Sequence, residues 1–331
     1  MEAIEMQQQF FSLLKNSLPA HVSMADELAG KLGLSYDSVY RRIRGEKPLS
    51  MAELKLLCET YQISLDQVLN LQSDNVLFRA PDINHTQIPF PLYIQGMLAQ
   101  MKIFNSFDGK KMRYLCKDMT FFHFYHFPGI AAFKTFFWIK SILNDPAYHK
   151  AKFSLKKDEF VDCFQIGQQV IKEYNQIPSV ELWNVESVNS TLSQIQYYYD
   201  AGLFETREDM IGVIESLQQT LDHLQLQVEQ GVKFMPGDPD TRYQAGLQFY
   251  INEVVLGSNT ILIESDQHRE SLVTYSVLNY MSTKDTRFCD KAFSSFDNLL
   301  SRSTPISATG EKERNRFFHR LKERLEALKA I

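Results

Sequence analysis

Cysteine is scarce. The chain of 331 residues holds Cys58, Cys116, Cys163 and Cys289, all far apart. That spacing excludes a disulfide framework and a sequence-local zinc cluster, and it fits a reducing, cytoplasmic setting. Long apolar runs are missing too. The best candidate, residues 119–133, lies between Asp118 and Lys134 and is broken by His123, His126 and Pro128-Gly129, so it is too short to cross a bilayer, and no membrane partner is expected. The opening MEAIEMQQQFF carries Glu2 and Glu5 where a secretion signal would carry lysines. Positive charge is not in excess. The formal net charge is -5, and residues 1–70 hold seven Lys/Arg against nine Asp/Glu, so a surface for nucleic acid would have to be local. The GxxxxGK(S/T), GxSxG, HExxH and GxGxxG signatures and a calcium loop are absent, and a lone SxxK at Ser154–Lys157 lacks its companion motifs. The chain therefore offers no residue to assign to catalysis, and it is read as a non-enzyme without cofactor or metal.

What is present is concentrated in the first seventy residues. Phe10, Phe11, Leu14 and Leu18 mark one face of a helix that Pro19 closes. Ser23 is placed as an N-cap, with Asp26 at the third helical position, ahead of the stripe Leu28, Ala29, Leu32. Gly33 is free to take positive φ at the helix end, and Ser35 is the next N-cap, flanked by Leu34 and Val39 at staple positions. Ser50 with Glu53, and Ser64 with Gln67, repeat the capping pattern, and Met51, Leu54, Cys58 and Tyr61 form a further inner stripe. Five short helices with a shared small core are expected.

Helices at about 23–32 and 36–44, joined by a GLS turn, have the arrangement of a helix-turn-helix. The segment MADELAGKLGLSYDSVYRRIRGEKPLSMAELKLLCETYQISLDQVL resembles the Cro/phage-repressor (XRE) class of helix-turn-helix domain, through Ala29, Gly33, Val39, Gly45 and the closing ISLDQVL. It departs from that pattern at Arg42, which stands where an apolar residue is usual, with Ile43 one place later. The resemblance implies that the second of the two helices enters the major groove of double-stranded DNA, N-terminal end first. Tyr36, Asp37, Tyr40 and Arg41 would then face base edges. Arg42, Arg44 and Lys47 would meet phosphates, with Ser35 and its free backbone N–H groups at the entry point. One such domain has a small footprint, so a homodimer on paired half-sites is expected.

The remainder is less informative. Residues 73–90, with Pro81 and Pro89, read as a linker. Residues 91–331 read as a mostly helical domain: helical over 91–230, a small antiparallel sheet over 243–285, and terminal helices over 288–329. Before Pro128 the aromatic segment is a strand candidate, and after it Ala131–Leu143 reads as a buried helix; the aromatic stretch 119–138 is a candidate pocket lining. His123 and His126 have a metal-compatible spacing, but no third ligand is near in sequence, so core side chains are the preferred reading. Met210, Ile214, Leu217, Leu221, Leu224 and Val228 form a heptad seam, read first as packing within its own bundle. In the last helix, Phe318, Leu321, Leu325 and Leu328 share a face; the mixed-sign run EKERNR at its start reads first as solvated, with Arg314 and Arg316 as candidates to hold an anion.

The whole reads as a mainly α bacterial-type transcriptional regulator: a five-helix DNA-binding head, and a larger domain that dimerises and takes an unknown small-molecule or protein effector. The competing reading is a protein-interaction adaptor with a degenerate helix-turn-helix head. A third, an enzyme fused to that head, rests only on unexplained length.

Overall fold

The computed structural model describes residues 3–18, 22–61, 63, 65–68, 76–80, 89–238, 245–254, 257–266 and 268–331. It divides into two units, Met1–Val76 and Leu77–Ile331. The expected stop at Pro19, Ser64 of the expected Ser64/Gln67 capping pair and the linker proline Pro81 lie outside what is described.

The first unit is helical: α1 (Ala3–Ser17), α2 (Met24–Leu32), α3 (Tyr36–Ile43), α4 (Met51–Tyr61) and α5 (Leu65–Val68). Its core is Phe10, Phe11, Leu14, Ala25, Leu28, Val39, Leu57 and Val68. The caps explain the boundaries. The Ser23 hydroxyl accepts from the Asp26 N–H, and Gly33 sits at φ 63°, the left-handed conformation that ends a helix without a Cβ clash. Ser50 and Glu53 form a reciprocal box, the Glu53 N–H donating to Ser50 Oγ at 3.2 Å and the Ser50 N–H to Glu53 Oε2 at 2.8 Å.

The second unit is built on a seven-stranded mixed sheet, in the order β6-β5-β4-β1-β2-β3-β7. Its elements in chain order are α6 (Phe90–Asn105), β1 (Lys111–Cys116), α7 (Phe121–Phe124), α8 (Pro128–Phe137), α9 (Val161–Tyr174), β2 (Ser179–Trp183), α10 (Asn189–Asp200) and α11 (Arg207–Gln230). There follow β3 (Leu247–Ile251), β4 (Thr260–Glu264), β5 (Arg269–Thr274), β6 (Tyr280–Thr283), α12 (Thr286–Leu300), β7 (Thr304–Pro305) and α13 (Glu311–Lys329). β1, β2 and β3 run parallel, and the flanking pairs are antiparallel.

This overturns the expected small antiparallel sheet over 243–285. Two of the central strands, β1 and β2, come from the segment read as helical, and β7 lies among the expected terminal helices. The reason is burial. All five residues of β2 are buried, so it lacks the alternation that marks a half-exposed strand. The segment before Pro128, a strand candidate, instead contains the helical turn α7.

α11 and α13 pack against each other, and the α11 seam Met210, Ile214, Leu217, Leu221, Leu224 and Val228 is buried within this unit. Phe318, Leu321, Leu325 and Leu328 of α13 enter the same core. On the other face of the sheet, Phe293 and Phe296 of α12 cover Leu115, Val180, Leu182 and Leu262. Part of the expected linker belongs to this unit. Arg79 pairs with Ser282 through two backbone hydrogen bonds, of 2.7 and 2.8 Å, extending the sheet beyond β6.

Candidate nucleic-acid interface

α3 follows α2 after a three-residue turn and is held at both ends. At its start the Ser35 hydroxyl accepts from the Ser38 N–H at 3.4 Å. At its end α1 acts as a clamp. Gln7 Nε2 donates to the carbonyls of Arg42 at 2.6 Å and Lys47 at 2.9 Å, and Gln7 Oε1 accepts from the Leu49 N–H at 2.8 Å. Gln8 Nε2 reaches the Arg44 carbonyl at 3.2 Å. Gly45, in the turn after α3, has φ 80°, and a Cβ there would lie 2.7 Å from Ile4 Cγ2, so only glycine fits without displacement.

The residues expected at base edges are presented outward. Tyr36 is 56% and Tyr40 50% exposed, and Asp37 and Arg41 are exposed as well. Ser35, Arg44 and Lys47 are also on the surface. The positive charges there are partly answered from within, because Glu46 pairs with Arg44 Nε at 2.9 Å and with Arg41 Nε at 3.7 Å. Both pairs are solvent-exposed, where an ion pair contributes about 0–1 kcal/mol, so an incoming phosphate can displace them.

Arg42 departs from the expectation that it meets phosphate. It is 4% exposed, occupying the inner position where an apolar side chain is usual. Its guanidinium donates to Glu53 Oε1 at 2.7 Å and to the Ser38 carbonyl at 3.1 Å. Its long stem suits that slot, and Glu53 on α4 meets the charge. Burial pushes the Glu53 carboxyl up, but the Ser50 N–H, the Arg42 guanidinium and the Ser50 hydroxyl outweigh it and hold it below its ordinary range. Arg42 thus ties α3 to α4. Of the residues that position α3, Gln7 and Glu53 had no assigned contact to it. The Ser50/Glu53 box was readable, but not that Glu53 also receives Arg42.

In the second unit, His123 and His126 are buried. His123 Nε2 lies 3.0 Å from both oxygens of Glu181, which also accepts from Tyr174 Oη at 2.5 Å and Trp183 Nε1 at 2.7 Å. His126 packs against His223, ring centroids 4.7 Å apart, and His223 Nε2 donates to the Phe234 carbonyl at 2.8 Å. Burial drives His126 well below its ordinary value and His223 down to about 4. Among the described residues no group of three His, Cys, Asp or Glu is arranged to hold a metal ion. The aromatic stretch expected to line a pocket is packed into the core, with Phe133 and Phe136 against Phe153 and Tyr198. No helix among the described residues is long and apolar enough to cross a membrane.

The capped α2–turn–α3 pair with an outward polar face defines the first unit as a domain of helix-turn-helix type. Residues 8–89 match the family model described as BetR domain, which is helix-turn-helix-like. No curated protein and no solved structure matches the chain.

Proposed function

We propose that this chain is a sequence-specific DNA-binding transcriptional regulator that acts as a homodimer, with the unit from Leu77 onward as its regulatory part. The observation that carries the proposal is the geometry of α3. Its ends are fixed by Ser35 and Gln7, its inner residues Val39 and Arg42 are buried, and Tyr36, Asp37, Tyr40 and Arg41 are left facing outward. The match of residues 8–89 to a BetR domain supports the same reading.

In this reading, and in keeping with the resemblance to the Cro/phage-repressor class, α3 enters the major groove. Arg41 makes a bidentate contact to guanine, and Arg44 and Lys47 meet phosphates after Glu46 is displaced. Selection of the full chain on random duplex DNA tests the proposal. The expected product is a twofold-symmetric site, bound in a salt-dependent manner and weakened selectively by Arg41→Ala. The pairing of both exposed arginines with Glu46 favours the adaptor as second reading, and that reading expects no enriched sequence.

A further inference from the structure

The parallel strands β2 and β3 end side by side, Trp183 opposite Ile251. The chain leaves β2 toward α10, and after β3 it re-enters the sheet as β4, whose Thr260 lies opposite Leu115 near the carboxyl end of β1. Open α/β sheets bind small ligands beyond the carboxyl ends of their strands where the strand order reverses. β1, β2 and β3 lie in sequential order with no reversal between β2 and β3, so a crevice beyond them qualifies as a ligand site by its own lining alone. Here that crevice holds about 210 Å³ and is roofed by the first turns of α13.

Each wall is fixed by its own contacts. Asn184 ends β2 by accepting from the Glu186 N–H at 2.7 Å, while the Asn252 N–H donates to the Trp183 carbonyl at 2.8 Å, tying the two strand ends together. Arg314 donates to the carbonyls of Ile306 at 3.0 Å and Thr309 at 3.2 Å. That bonding locks the start of α13 and withdraws Arg314 from any ligand. Phe317 of α13, 2% exposed, gives the roof an apolar patch. The cleft continues past Val185, where Arg324 is held by the Val185 carbonyl at 2.6 Å and Glu186 at 3.2 Å.

The charges that remain in the crevice are two carboxylates, Glu253 and Glu313, and two guanidiniums, Arg316 and Arg320. Arg320 meets Glu253 at 3.4 Å. Glu313 and Arg316 are three apart on one helix face, a spacing at which opposite charges commonly pair. Among the described residues, however, neither has an ion pair or hydrogen bond with the other or with any third group. A dianion such as phosphate would face both carboxylates. A small molecule carrying one charge of each sign would answer both free groups.

We propose that this crevice binds a small zwitterion of the α-amino acid class, its carboxylate on Arg316 and its ammonium on Glu313. A planar guanidinium offers two parallel N–H donors to a carboxylate, which fixes orientation as well as charge. Binding itself does not depend on the first unit. That the ligand acts as the effector of a regulator rests on the proposed function above.

The test is calorimetric titration of the full-length chain, without DNA, with each proteinogenic α-amino acid in turn. Two analogue arms go with it, the matching amine without the carboxylate and the matching acid without the amino group, and a third arm uses inorganic phosphate. One or a few amino acids are expected to saturate the chain, and the analogues and phosphate to fail. Arg316→Gln and Glu313→Gln, both at exposed positions with no partner to lose, should each weaken binding at least about tenfold while the thermal midpoint of the free chain stays put. Heat from no amino acid overturns the proposal. So does equal binding of phosphate or of either analogue, or binding unaffected by both variants. DNA selection on the same preparation is read separately, so loss of the regulator reading and loss of the ligand site are distinguishable.

Discussion

Arg42 decides whether the arginine cluster of α3 serves DNA or the fold, and it can be tested by removal. Arg42→Ala deletes the 2.7 Å contact to Glu53 and the 3.1 Å bond to the Ser38 carbonyl. Removing one partner of a buried pair costs about 3–5 kcal/mol when the other is left without compensation. Glu53 is not abandoned, because its side chain is 19% exposed and keeps the Ser50 N–H at 2.8 Å. The expected loss is therefore about 2–3 kcal/mol, at or below the low end of that range. Glu53→Ala should cost more, about 3–4 kcal/mol, since it strands a guanidinium only 5% exposed and also removes the capping acceptor. Replacing both by leucine should recover most of the loss, because neither charge is then left buried. Hydrogen exchange of the peptides covering α3 and α4 in the full chain reads these energies locally. If Arg42→Ala leaves protection within about 0.5 kcal/mol of the parent but abolishes DNA binding, the structural assignment is refuted and Arg42 is a phosphate contact after all.

Arg41→Ala should lower affinity for the selected site about ten- to a hundredfold and relax the preference at one position of each half-site, whereas Lys47→Ala should weaken all sequences alike, as seen in gel shifts over a salt series. Glu46→Gln frees Arg41 and Arg44 and should tighten DNA binding by a few fold at low salt; unchanged or weaker binding would mean that these arginines do not reach the duplex. Gly45→Ala meets both a φ of 80° and Ile4, so it should destabilise the first unit by about 1–3 kcal/mol, measured by exchange protection of α1 and α3. Acid should destabilise the second unit. His223 falls from an ordinary 6.5 to about 4 in the fold, so the unfolded chain takes up its proton first, and stability present above pH 6.5 is lost as pH falls toward 4. That amounts to about 2 kcal/mol by pH 5, with buried His126 acting in the same direction; a denaturant midpoint for the sheet unit that is flat from pH 7 to 5 would contradict it.

What could be read from the chain and what could not follow from where the physical signal resides. The first unit is written in local code. Ser23, Gly33, Ser35, Ser50 and Glu53 each act within three or four residues of their partners, so sequence spacing alone locates helix ends. The sheet is written in long-range contacts. β2 pairs with β1 and β3 across intervals filled by several helices, and its one charged residue, Glu181, is wholly buried because Tyr174, His123 and Trp183 converge on it. No periodicity marks such a strand, since both its faces are covered and polar partners from other elements override composition.

The same distinction separates the neighbouring arginines at each end of the chain, which sequence alone marks alike as candidate ligand contacts. Arg41 and Arg42 are adjacent and identical in type, yet a rotation of about 100° around the helix axis places one in solvent and the other against Glu53. Arg314 and Arg316 repeat the case: the first closes the start of α13 on the Ile306 carbonyl, and the second is left facing the crevice beyond β2 and β3. In both pairs a run of positive charge resolves into a buried structural member and a surface member, Arg41 paired only with exposed Glu46 and Arg316 with no partner among the described residues, and only the surface member can be spent on a ligand. The predictions for Arg41 and Arg316 therefore stand on an argument different from charge density. Their charges are available because Arg42 and Arg314 carry the structural contacts beside them, and a substitution at either surface position should alter binding while leaving the fold's stability nearly where it was.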